Sequence, residues 1–190
     1  MKNKFVLKLR DMYGIKYIKF YNKLKRKFEK LPLVVYNYTE YDDNYFNNEL
    51  LNKSFKINFA FLYKFGSNNK LIDNSFKNLN SDYVILFSKE KIQELNKIFN
   101  EEEYIYFHVF TLLHEVGHYV LRHNDVYNYE DYIDKKELYY KLETQANDFA
   151  IQYMKLNRIE YKIFCKMITK FNKYIDKIKG YKNENTIQIT

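Results

Sequence analysis

Residues 114–118 read His114-Glu115-Val116-Gly117-His118, two imidazoles four positions apart with a carboxylate between them. On a helix turning about 100° per residue, positions i and i+4 differ by only about 40°, so both rings leave the same side, one turn apart. That separation lets two imidazoles bind one tetrahedral Zn²⁺ at about 2.0–2.1 Å each. Glu115 stands beside them, placed to take a proton from a metal-activated water without being a ligand itself. Gly117 costs about 1 kcal/mol relative to Ala inside a helix, which implies that something approaches the backbone there. The chain has 4 His and 14 Glu; at that composition the pattern is expected by chance about 0.006 times.

Two histidines leave such a centre incomplete, because a catalytic zinc takes three protein ligands and keeps one position open. A third imidazole at 124, with Gly at 121, would make a metzincin, but Leu121 and Asn124 stand there and exclude that class. His123 follows His118 by five positions, about 140° round a continued helix, and is expected on the surface or as a cap. His108, six positions before His114, also falls off the face and is expected to be structural. The acids that follow are Asp125, Glu130, Asp131, Asp134, Glu137, Glu143 and Asp148. Most lie in a polar stretch, where solvation is their ordinary fate. Glu143 differs, because Glu143-Thr144-Gln145-Ala146-Asn147-Asp148-Phe149-Ala150 reads as helix. Ala146, Phe149, Ala150 and Tyr153 give it a face of mostly small side chains, suited to close packing against another helix. Glu143 and Asn147 share a face, so one can ligate while the other holds a histidine ring nitrogen from behind. A helical glutamate after H-E-x-x-H is the gluzincin arrangement.

The two segments together resemble the ImmA/IrrE family of zinc metallopeptidases, whose pattern is T-x-x-H-E-x-G-H, a short acidic loop, then E-x-x-A-x-x-F-A. Thr111, His114, Glu115, Gly117, His118, Glu143, Ala146, Phe149 and Ala150 occupy those positions, all within residues 111–150. The resemblance implies a zincin-like active-site helix and one Zn²⁺ per chain, held by His114, His118 and Glu143. It implies Glu115 as general base, with Asn147 and Thr111 supporting the ligands from outside the ligand set. It also implies a cytoplasmic protease of a phage, another mobile element or a stress regulon, which cleaves a helix-turn-helix repressor and so relieves transcription. An oxyanion donor is then needed as well, and Tyr127, Tyr129 and Tyr132 are candidates.

These groups must be positioned by an α+β fold: a small three-stranded sheet packed with several helices. The strongest apolar periodicity runs over 104–122, with Phe107, Phe110, Leu113, Val116 and Val120 on one side. Helices are expected over 136–156 and 159–179. In the second, Ile163, Met167, Ile168, Phe171, Tyr174, Ile175 and Ile178 share one face, and Lys162, Lys166, Lys170, Lys173 and Lys177 line another, read as solvated. Before them, Leu33–Tyr38, Phe55–Phe65 and Tyr83–Phe87 read as strands, Gly66-Ser67-Asn68-Asn69 as a turn, and Ser88 as the cap of a helix through Phe99. Residues 4–29 repeat Phe5, Leu9, Met12, Tyr13, Tyr17, Phe20, Leu24 and Phe28 at helical spacing, and Pro32 stops them. With no linker or repeat, 1–190 reads as a single metallopeptidase-like domain. Its parts are a basic N-terminal helix (1–32), a sheet region (33–87), active-site helices (104–156) and a basic amphipathic C-terminal helix (159–180).

At 190 residues the chain can bury a core without staples, and its single cysteine, Cys165, excludes an internal disulfide. No apolar run approaches the roughly 20 residues of a membrane span, and Met1-Lys2-Asn3-Lys4 opens no signal peptide. Those features fit a cytoplasmic protein. The net charge of +8 is uneven: +9 over 1–30, zero over 31–100, −7 over 101–154 and +6 over 155–190. Of the 32 basic residues 28 are Lys, alongside abundant Asn, Ile and Tyr, a mix read as the codon bias of an A/T-rich genome rather than as a nucleic-acid site. The leading reading is therefore a zinc-dependent endopeptidase acting on a protein substrate, with neither membrane nor direct nucleic-acid binding. The second is a non-catalytic regulatory module that grips a repressor or nucleic acid through residues 1–30 and the Lys162–Lys177 stripe. Binding that persists without zinc would favour the second.

Overall fold

The structure, a computed structural model, describes residues 26, 31–35, 59–66, 73, 81–87, 94–126, 135–154 and 156–179. The chain divides into two compact units, Met1–Leu31 and Pro32–Thr190. In the first, Arg26 is helical, and the rest of the helix expected over 4–29 lies outside the described residues. The second is mixed α/β and mostly helical. Its described elements are β1 (Leu33–Val35), β2 (Ala60–Lys64), β3 (Tyr83–Phe87), α1 (Glu101–Val120), α2 (His123–Val126), α3 (Lys136–Met154) and α4 (Arg158–Lys179).

The strands lie in the order β1-β3-β2, with β1 parallel and β2 antiparallel to β3. Val84, Ile85, Leu86 and Phe87 of β3 are all buried. A central strand covered on both faces carries such a continuous apolar run in place of alternation. β2 pairs Leu62 with Ile85 and Tyr63 with Val84. It is shorter than the 55–65 expected: 55–58 lie outside the described residues, Phe59 bends, and Phe65 enters the turn. That turn holds Gly66 at φ 81°, a left-handed conformation that glycine adopts without strain. Its N–H donates to the Asp73 carboxylate at 2.9 Å. For β1, 36–38 lie outside the described residues, as do 67–69 of the expected turn.

The helix expected through Phe99 ends sooner. Glu94 and Leu95 are helical, and the chain then tightens into a turn in which Ile98 N–H and Phe99 N–H both donate to the Leu95 carbonyl at 2.9 Å. This frees Asn100 to start the next helix, and α1 begins at Glu101, ahead of the expected 104. The reason is a capping box: Asn100 Oδ1 accepts from Glu103 N–H at 2.8 Å, and Glu103 Oε2 accepts from Asn100 N–H at 3.0 Å. Lys170 also donates to Glu103 Oε2, at 2.6 Å. Lys170 thus leaves the solvated stripe expected on α4, whose Lys162, Lys166, Lys173 and Lys177 are exposed.

Helix α1 is the central post of the fold. Its Phe107 meets Phe171 of α4 at 5.0 Å and Phe59 at 5.3 Å between ring centroids, and Phe59 meets Phe171 at 5.2 Å, a three-ring cluster. Phe164, Met167, Ile168 and Ile175 carry the buried face of α4. His108 is fully buried among rings, stacked on Phe87 and edge-on to Tyr104, in keeping with the structural role expected of it. Among the described residues no helix is long and apolar enough to cross a membrane.

Candidate metal centre

The buried face of α3 decides what α1 can present. Ala146 and Ala150 are fully buried, and α3 packs along α1 more extensively than any other element does. A Cβ added at Gly117 would lie 3.2 Å from Ala146 Cα, 3.2 Å from Phe149 Cδ1 and 3.3 Å from the Ala146 carbonyl oxygen. The approach that Gly117 implies in the sequence is therefore that of α3 itself. Small residues on both helices bring Glu143 and Asn147, one turn apart, against the H-E-x-x-H face.

The result is a three-residue donor cluster. His114 Nε2 lies 3.2 Å from Glu143 Oε2, His118 Nε2 lies 3.3 Å from Glu143 Oε1, and the two Nε2 atoms are 3.0 Å apart. Four donors at 2.0–2.1 Å around a tetrahedral zinc stand about 3.3 Å from one another. The Nε2–Nε2 separation and each nitrogen's distance to its nearer Glu143 oxygen are close to that edge length, and two imidazoles with a carboxylate are the donor types zinc takes. The three side chains are 14–31% exposed, so solvent reaches the cluster. Among the described residues these three form the His/Cys/Asp/Glu group able to hold a metal ion.

Each histidine is also held from behind. His114 Nδ1 donates to Asn147 Oδ1 at 2.8 Å, which leaves its Nε2 turned toward the cluster. His118 Nδ1 lies 2.9 Å from Nδ1 of His123. This corrects the reading of His123 as a surface or capping residue, for it is buried. His123 would face outward only on a helix that ran on past 120. Instead α1 ends at Val120, and Arg122 takes φ 55°, turning the chain back so that His123 enters beside His118. Arg122 is neither Gly nor Asn, so no residue type marks that turn in the sequence. Thr111 is buried three positions before His114 and, among the described residues, makes no hydrogen bond to the cluster. Asp125 bonds to Lys64 and Tyr83, and Glu137 and Asp148 are exposed, all apart from the cluster. Tyr127, Tyr129, Tyr132, Glu130, Asp131 and Asp134 lie outside the described residues.

The electrostatics follow from this packing. Burial pulls the His114 imidazole down, but the Glu143 charge and hydrogen bond, the Glu115 charge and the bond to Asn147 together raise it to about 9. Burial pushes Glu143 up, yet the charge and hydrogen bonds of His114 and His118 hold it well below the usual carboxylate range. Without metal, His114 and Glu143 thus stabilise each other's charged forms. Glu115 is buried beside them, and that burial raises its carboxyl against the lowering pull of His114, His118 and the Leu62 backbone N–H of β2. Burial brings His123 down to about 4, with the His118 charge adding to the effect.

Comparison with protein-family models, curated proteins and solved structures finds no match to the chain.

Proposed function

We propose that the chain is a zinc-dependent endopeptidase in which α1 serves as a zincin-like active-site helix and α3 supplies the glutamate of a gluzincin. The observation that carries this reading is the meeting of Glu143 with both Nε2 atoms of the H-E-x-x-H pair at 3.2 and 3.3 Å. His114, His118 and Glu143 would hold the ion. When bound, it supplies Lewis acidity, which polarises a peptide carbonyl and makes water acidic. Among the described residues Glu115 is the further carboxylate buried at the cluster, and it would take the proton from the attacking water. The same carboxyl returns that proton to the amine as the C–N bond breaks. A carboxyl raised by burial suits that cycle, since it takes up a proton more readily than an exposed one does. The resemblance of residues 111–150 to the ImmA/IrrE pattern suggests a helix-turn-helix repressor as the substrate and a cytoplasmic site of action.

The test is metal content by mass spectrometry on protein purified without nickel or chelator, comparing wild type with His114→Ala and Glu143→Ala. Near-stoichiometric zinc lost in both variants is the expected result. Zinc unaffected by Glu143→Ala would move the third ligand into 125–137. No metal after reconstitution would overturn the reading in favour of a binding module. Glu115→Gln should keep zinc yet fail to cleave purified helix-turn-helix repressors that the wild type cuts, as read by intact mass.

A further inference from the structure

His123 lies outside the donor cluster, yet it is 4% exposed and its ring stands edge-on to that of His118, centroids 4.9 Å apart. The two Nδ1 atoms are 2.9 Å apart, so one proton lies between them. If His123 supplied it, a neutral His118 would carry its own proton on Nε2, the atom 3.3 Å from Glu143 and 3.0 Å from His114. A proton there occupies the lone pair that a metal needs. If His118 supplies it instead, Nε2 presents its lone pair to the cluster and His123 Nδ1 is the acceptor. Asn147 Oδ1 already imposes that tautomer on His114. His123 occupies the equivalent place behind His118, with an imidazole in place of an amide.

The segment carrying His123 is tied down for this purpose. After the left-handed Arg122, α2 is pinned to the sheet by its next two residues. Asn124 Nδ2 donates to the Leu62 carbonyl at 3.3 Å, and the Asp125 carboxylate accepts from Lys64 Nζ at 3.0 Å and from Tyr83 OH at 3.2 Å. Leu62 is also the residue whose N–H meets the Glu115 carboxylate. One residue of β2 thus anchors both the proposed base and the turn that delivers His123.

We propose that His123 is a positioning residue of the metal centre, accepting the Nδ1–H of His118 and so holding that ring and its tautomer ready for the ion. The inference rests on the reading of the cluster as a metal site. The experiment is a Zn²⁺ competition titration against a chromophoric chelator for wild type, His123→Leu and His123→Asn, with ¹⁵N NMR of zinc-loaded wild type. His123→Leu fills the space without an acceptor and should weaken zinc about 10- to 100-fold. His123→Asn, whose Oδ1 can replace Nδ1, should recover most of that loss. The spectrum should show His118 protonated on Nδ1, with a coupling across the hydrogen bond to His123 Nδ1. Equal zinc affinity in all three proteins overturns the proposal, as does an Asn variant no better than Leu, which would make His123 mere packing. If His123→Leu does not fold, the spectrum and the Asn variant decide: no coupling and no Nδ1–H on His118 overturn it. Wild type that binds no zinc at all is a different failure, of the metal-site reading itself, and the proposal falls with it.

Discussion

Asn147 Oδ1 lies 2.8 Å from His114 Nδ1, while Glu143, one turn earlier on the same helix, faces the other nitrogen of that ring at 3.2 Å. A single helical face therefore both aims the imidazole and completes the donor cluster. The arrangement needs α3 at one height and one distance from α1, and Gly117 and Ala146 fix the distance.

Asn147→Leu keeps the branched shape and removes the acceptor. The ring of His114 is then free to rotate or to adopt the tautomer with Nε2 protonated. Zinc affinity should fall by about 10- to 100-fold, with the fold retained. Asn147→Asp, which still accepts, should bind at least as tightly as wild type. A competition titration gives both values, and a Leu variant with wild-type affinity would remove Asn147 from the site.

Gly117→Ala sets two effects against each other. Helix propensity favours Ala by about 1 kcal/mol. The new Cβ, however, meets the Ala146 backbone at 3.2 Å, and a backbone cannot swing aside, so α3 must retreat. Overpacking of this kind costs about 1–3 kcal/mol. Thermal melting should show a net loss, and zinc binding should drop further than stability because Glu143 rides on the displaced helix. A variant that melts higher and keeps its zinc would contradict the close approach.

The metal-free pair sets a pH window. His114 is raised from 6.5 to about 9. A histidine raised by folding contributes stability that is fully present below pH 6.5 and is lost as pH climbs through about 9. Metal-free protein should therefore melt progressively lower across that interval, and His114→Gln should not. Zinc displaces the same proton, so its affinity should rise by about tenfold per pH unit up to about pH 9. Affinity independent of pH between 7 and 9 would show that no proton is displaced.

His108 contributes on the acid side. Burial takes it down to about 3, so the folded protein refuses a proton that the unfolded chain accepts below pH 6.5. Here the sign is opposite to that of His114. Stability is lost as pH falls from 6.5 toward 3, by up to about 1.4 kcal/mol per unit. His108→Phe retains a ring against Phe87 and should flatten that slope, whatever it does at neutral pH. Urea melts at several pH values give the slope directly, and an unchanged slope would clear His108 of the acid lability.

Much of the centre is legible in the chain alone because helical geometry is local. The i, i+4 spacings of His114 with His118 and of Glu143 with Asn147 put each pair on one face of whatever helix forms. The apolar run of β3 and the small-residue face of α3 are equally local signals. Asn100 and Glu103 also spell a capping box, so the true start of α1 was readable there. Three features were not readable, and all depend on what packs against what. Lys170 leaves the lysine stripe because the Glu103 carboxylate lies beside α4. Gly117 is required by Ala146, 29 positions away. His123 reaches His118 because the chain turns at Arg122 through a left-handed residue that is not glycine, and the bonds of Asn124 and Asp125 to the sheet hold α2 where that turn leaves it. Periodicity specifies which side chains share a face, since that follows from backbone dihedrals over a few residues. Where a helix ends without Gly or Pro, the direction of the chain is set by long-range contacts, and those exist only once the sheet and helices have assembled.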